Sequence, residues 1–174
     1  MSISRSEAFQ DSDDVVCSPA LAPVAMLVVA FAWLLQWLVP LDAMAALERA
    51  EDVDPLWAFL GGGALATGGL CLSIAGYFSM KRHAGDIEPW QTMSVLVTDG
   101  AYAWTRNPCY LGLWFALTGI AFAFALDWLL IVTIPAAAIV SRCVVSREEK
   151  FLEGRFGRAY LTYKHHVPRY LFIR

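Results

Sequence analysis

The sequence predicts an all-α integral membrane protein: four transmembrane helices, the second pair a tight hairpin, followed by a C-terminal cytoplasmic amphipathic helix. Three observations carry this expectation. Hydrophobic residues make up 58% of the 174, with a mean hydropathy of +0.52, too apolar for a soluble globule of this size. Charge-free runs long enough to cross a bilayer recur along the chain. Two polar blocks, residues 96–112 and 147–169, bracket an almost wholly apolar stretch. Charged segments joined by a membrane hairpin emerge on one side of the bilayer, where they can build one polar site.

Residues 1–18 are rich in Ser and Asp and read as a flexible N-terminal segment. Arg5 is their one basic residue, and Asp11, Asp13 and Asp14 precede the apolar run, which is not the pattern of a signal peptide. Residues 19–174 form one membrane domain, with spans expected at 19–41, 56–80, 109–126 and 128–146. A helix needs roughly 20 residues to cross a hydrocarbon core of about 30 Å. The second pair turns at Leu126, Asp127 and Trp128. The other reading, one long buried helical region of a soluble protein, lacks an amphipathic partner surface.

Twelve of the 13 Lys and Arg residues fall before residue 19, between 81 and 108, or after 141. The loop 42–54 holds only Arg49 among Asp42, Glu48, Glu51, Asp52 and Asp54. The positive-inside rule therefore places both termini and both polar blocks in the cytoplasm. Arg142, near the inner end of the fourth span, is expected to snorkel inward or face the site.

Small residues recur at four-residue spacing in the second span, as Gly62/Ala66, Ala64/Gly68 and Gly69/Ser73. In lipid such spacing permits close helix packing. A nucleotide-binding glycine loop is excluded, because no strand precedes the run and no basic residue closely follows it. Cys17, Cys71, Cys109 and Cys143 contain no C-x-x-C and read as free thiols, with neither a disulfide framework nor a zinc site. His165 and His166 have no third ligand nearby, so no metal is expected.

The loop 85–108 carries a turn signal at Thr98, Asp99 and Gly100. Tyr102 and Trp104 suit interfacial anchoring. Asn107 can cap the following helix, with Pro108 at its first position. The last block reads as a surface helix over 147–166, with Phe151, Leu152, Phe156, Tyr160 and Tyr163 near helical spacing and Arg155, Arg158 and Lys164 elsewhere around it. Gly157 breaks that helix or admits a close contact, and Pro168 ends it. Glu148 and Glu149 suit a helix first turn. Adjacent carboxylates point in different directions, so the two cannot serve one site equally.

Read together, the blocks resemble the isoprenylcysteine carboxyl methyltransferase family and its bacterial relatives among the phospholipid methyltransferases. The residues that carry the resemblance are Leu96, Val97, Thr98 and Gly100; Tyr102 and Trp104; Arg106, Asn107, Pro108, Tyr110 and Gly112; then Glu148, Glu149, Leu152, Phe156, Gly157, Tyr160, Tyr163, Val167 and Pro168. It covers about residues 80–170; the first two spans match in character only.

The resemblance implies S-adenosylmethionine as methyl donor, in a pocket closed by the C-terminal segment, with a lipophilic substrate entering from the membrane. It assigns cofactor contacts to Ser94, Val95, Leu96, Val97, Tyr102, Asn107 and Glu148. Eukaryotic members have histidine where Asn107 stands, so acid/base chemistry is not expected there. They also carry a substrate-binding arginine at the position of Val144. Arg142 or Arg147 then stands in for it, or the substrate is not a prenylcysteine acid. A bacterial inner membrane fits the asparagine-type motif and compact length.

Methyl transfer from a sulfonium needs alignment rather than a metal or covalent intermediate. Arg106 suits a carboxylate through bidentate pairing. Glu148 suits a hydroxyl or ammonium group, and Tyr102, Tyr160 and Tyr163 can wall the pocket and face the sulfonium. The expected catalytic pair is Arg106 and Glu148, with Tyr160 as a further cofactor contact. The acceptor, whether carboxylate, amine or thiol, is not encoded in these motifs. The alternative is a catalytically silent membrane scaffold that keeps the fold. Transport is disfavoured, because the spans hold no paired ionisable residues and no broken helix at mid-depth.

Overall fold

The computed structural model describes residues 21–51, 54–84 and 95–171. The flexible segment expected at 1–18 and the first part of the loop 85–108, including Ser94, lie outside the described residues. Among the described residues the regular elements are helices: α1 (Leu21–Leu38), α2 (Ala43–Ala50), α3 (Pro55–Ala84), α4 (Pro108–Ala123), α5 (Asp127–Val140), α6 (Ser146–Phe156) and α7 (Arg158–His166). A 3-10 turn, Gly100–Ala103, precedes α4, and a π-helical turn, Ser141–Val145, fuses α5 to α6. Two helices are long and apolar enough to cross a membrane, Pro55–His83 and Asp127–Phe156; Pro23–Leu38 and Pro108–Ala123 are apolar but shorter.

The closest packing is between α3 and α4, along a seam of small residues. A Cβ on Gly62 would lie 2.5 Å from the Ala123 nitrogen, and one on Gly69 would lie 2.5 Å from the Gly112 oxygen. Gly112 and Gly119 answer from α4, against Ser73 and Ala66. The seam thus uses Gly62/Ala66 and Gly69/Ser73. It does not use Ala64/Gly68, which are exposed, with nothing within 4 Å of a Cβ on Gly68. The reason is angular: at 100° per residue, Gly68 points well away from Gly69. A second apolar cluster, Val28, Ala32, Leu117, Ala121 and Leu129, joins α1 to α4 and α5.

The turn of the α4–α5 hairpin falls earlier than the sequence predicts, at residues 124–126, and Asp127 opens α5. Leu126 donates its amide to Ala121 and Ala125 donates to Phe122, with Ala125 at φ +48°. That is a Schellman stop with alanine in the position glycine usually fills. Asp127 is buried, and its carboxylate accepts the amides of Ala43 and Met44, each at 3.0 Å. It therefore caps α2, a helix the sequence did not announce, from 84 and 83 residues away.

The π turn changes which residues of the last long helix face inward. Leu129, Thr133, Val140, Val145 and Glu149 are buried. The step from Val140 to Val145 is five residues, the i→i+5 spacing of a π turn. The block expected as one surface helix over 147–166 is instead α6, continuous with α5, and α7, separated at Gly157 (φ +52°).

The seam gives a paired prediction. Gly69→Ala should destabilise the protein by about 1–3 kcal/mol, since the methyl group meets backbone. Gly68→Ala, its immediate neighbour, should be neutral or stabilise by up to about 1 kcal/mol through helix propensity. Equilibrium unfolding in mild detergent reads both; equal effects would contradict the seam.

Candidate active site

The C-terminal end of α3, the start of α4 and the end of the fused α5–α6 helix converge at one end of the bundle. Between them lies a cleft, partly open to solvent. Val95, Leu96, Val97, Tyr102, Arg106, Asn107, Glu148 and Tyr160 line it. Arg142 and Arg147 do not; both are exposed. Met80, Cys109, Tyr110 and Glu149 line it as well, and the sequence reading gave them no role there.

The short segment 105–107 forms one wall. Thr105, Arg106 and Asn107 are all buried, and the C-terminal tail pairs with them. The Arg106 amide donates to Pro168 O at 3.0 Å. Thr105 Oγ1 and Asn107 Nδ2 both donate to Arg169 O, at 2.8 and 3.3 Å. Asn107 occupies the position before α4 but makes no side-chain cap. Its amide group holds the tail instead, and Thr105 Oγ1 accepts the Asn107 amide at 3.3 Å.

Glu149 fixes this arrangement. It is 4% exposed. Oε1 lies 3.3 Å from Arg106 Nη2 and accepts from Arg169 Nε at 3.1 Å, while Oε2 accepts from Arg169 Nη2. Lys164 stands 3.9 Å away and pairs with Glu153. The carboxylate therefore bridges the loop before α4 and the tail after α7. The hydrogen bond to Glu149 raises the pKa of Arg169 further.

Glu148 points along a neighbouring direction and accepts from Tyr110 OH at 2.8 Å. Tyr163 OH donates to Tyr102 O at 2.7 Å, tying α7 to the 3-10 turn. The Tyr160 phenol is pushed well above its ordinary value, first by burial and then by the nearby Glu149 charge; Tyr163 is raised by burial and by Tyr160. Both stay neutral at any physiological pH. One polar group in the cleft is incomplete: Arg106 is 7% exposed, yet its Nε and Nη1 have no hydrogen-bond partner among the described residues.

Two tests follow from this geometry. Glu149→Ala should cost about 3–5 kcal/mol, because it strands a buried guanidinium. Glu148→Ala should cost less, because it leaves the Arg106–Glu149–Arg169 bridge intact. Unfolding midpoints in detergent rank the two, and the reverse order would contradict the bridge. The raised phenols contribute stability that is fully present below pH 10, their ordinary value, and is lost as pH climbs toward the raised values. In a tyrosinate absorbance titration, Tyr160→Phe should remove amplitude above the main step; removal of amplitude at pH 10 would contradict the burial.

Comparison with known proteins gives a family. The phospholipid methyltransferase profile matches residues 57–159, from the start of α3 into α7. Neither the curated proteins nor the solved structures give a match. The matched region includes the α3–α4 seam, the segment 105–107 and both glutamates, and it stops short of Tyr160, Tyr163 and the tail. A membrane methyltransferase family accounts for an apolar helical bundle with a polar cleft at one end, and this chain belongs to the phospholipid methyltransferase family.

Proposed function

We propose that this chain is an integral-membrane, S-adenosylmethionine-dependent methyltransferase acting on a carboxylate, amine or thiol of a lipophilic substrate. The observation that carries the reading is Arg106. A buried guanidinium at a cleft wall, whose Nε and Nη1 have no hydrogen-bond partner among the described residues, is costly, roughly 1–3 kcal/mol or more. A ligand carboxylate accepting from Nε or Nη1 reduces that cost through a charge-assisted hydrogen bond. A silent scaffold has no use for such a group.

The remaining lining fits the same ligand. Glu148, oriented by Tyr110, can accept from a hydroxyl or ammonium group. Val95, Val97, Leu152 and Phe156 give an apolar wall for a purine. Tyr160 and Tyr163, neutral and buried, offer ring faces to a cation, worth about 0.5–2 kcal/mol. Ser94 is kept as a contact on resemblance. Asn107 acts through the tail it holds, and so shapes the cleft. When bound, S-adenosylmethionine supplies an electrophilic methyl carbon for in-line displacement. The residues around it bind, align and exclude water; no side chain here forms a covalent bond.

The membrane placement belongs to the same proposal. α1, α3, α4 and the fused α5–α6 helix cross the bilayer, with both termini and the cleft on the cytoplasmic side, in a bacterial inner membrane. Twelve of 13 basic residues on that side support the orientation.

Isothermal titration of the detergent-solubilised protein with S-adenosylhomocysteine tests the donor site. Arg106→Lys keeps a charge beside Glu149 but loses the bidentate fork, and should weaken binding by about 10–100-fold, the worth of a charged hydrogen-bond pair. No heat at millimolar ligand, or unchanged affinity in the variant, would refute the assignment.

A further inference from the structure

The cations of the last long helix are divided by face. Glu148 and Glu149 line the cleft and Glu153 pairs with Lys164. Arg142, Arg147 and Lys150 are exposed and make no ion pair among the described residues. They continue a strip that begins on α5 as apolar surface: Ile131, Ile134 and Ile139 are 49%, 67% and 61% exposed. The π turn keeps the strip continuous, since an i→i+5 turn aligns Arg142 with Arg147, and Lys150 follows three residues on. The three cations span about 12 Å of helix axis at 1.5 Å per residue, so they run from the edge of the hydrocarbon core through the headgroup layer, roughly 5–8 Å deep on one side of a bilayer. Apolar surface passing directly into exposed positive charge matches one kind of partner, an acyl chain that ends in an anionic headgroup.

We propose that Arg142, Arg147 and Lys150 form a docking site for the phosphate of an anionic bilayer phospholipid, held against the outer face of the helix whose inner face carries Glu148 and Glu149. The inference rests on the membrane placement proposed above and is independent of what the cleft binds. The long side chains let Arg142, the deepest of the three, reach out to the same phosphate level.

The test uses the full-length protein in a neutral detergent. Thermal unfolding is followed with added dioctanoyl phosphatidylglycerol, dioctanoyl phosphatidylcholine or glycerol 3-phosphate. Phosphatidylglycerol should raise the midpoint saturably, and the other two should not. The triple variant Arg142→Gln, Arg147→Gln, Lys150→Gln should bind phosphatidylglycerol at least tenfold more weakly. A control of equal charge, Lys81→Gln, Arg82→Gln, Arg158→Gln, changes three other exposed cations and should stay within twofold of the unaltered protein. S-adenosylhomocysteine titration of both variants checks that the fold persists. Unaltered affinity in the first variant, an equal loss in the control, or an equal response to glycerol 3-phosphate would each overturn the proposal. Any of these results would leave the donor site untouched, because that site is read by its own titration.

Discussion

The Glu149 carboxylate is the contact on which the site depends. It sits almost fully buried between Arg106 and Arg169. A buried charge is tolerated only when its partners are close and well oriented. Here the partners come from chain segments separated by about 60 residues, so the ion bridge holds the loop before α4 and the tail after α7 in one register. The backbone pairing of residues 105–107 with 168–169 then becomes local geometry. With Nη2 of Arg106 committed to Glu149, the guanidinium is held in place at the cleft wall.

Much of this was legible in the sequence. The apolar helices, the polar blocks around the hairpin and the Gly62 and Gly69 contacts of α3 follow from hydropathy and spacing. Much of the cleft lining, Val95, Leu96, Val97, Tyr102, Asn107 and Glu148, was implied by the family resemblance rather than by any periodicity. What escaped depends on geometry that a sequence periodicity does not carry. A regular helix running through from α5 turns Val144 and Glu148 inward; the π turn moves that face by one residue and buries Val145 and Glu149. The signal that could have found Glu149 was present in the acidic pair, but ordinary helical spacing chooses the wrong member as the structural bridge. The other misses are contacts at a distance. α2 is capped by Asp127 from the far side of the hairpin, and Asn107 forgoes its local cap for the carbonyl of Arg169.

The long helix works as a divider. Its inner face carries carboxylates toward the cleft and its outer face carries cations, and the π turn sets the phase of both. The α3–α4 seam does the corresponding mechanical work. Gly62, Gly69, Gly112 and Gly119 bring two backbones into contact, which fixes where Met80 and Cys109 meet the cleft relative to α4. Rigid helices thus position the polar groups, and the tail pins the segment 105–107.

The account is tested most directly by an experimental structure of the protein with S-adenosylhomocysteine bound. The account predicts the ligand carboxylate hydrogen-bonded to Arg106 through Nε or Nη1, its purine against Val95, Val97 and Phe156, and Glu149 still bridging Arg106 to Arg169. A ligand bound elsewhere, or a carboxylate held by another residue while Arg106 keeps its two open donors, would contradict it.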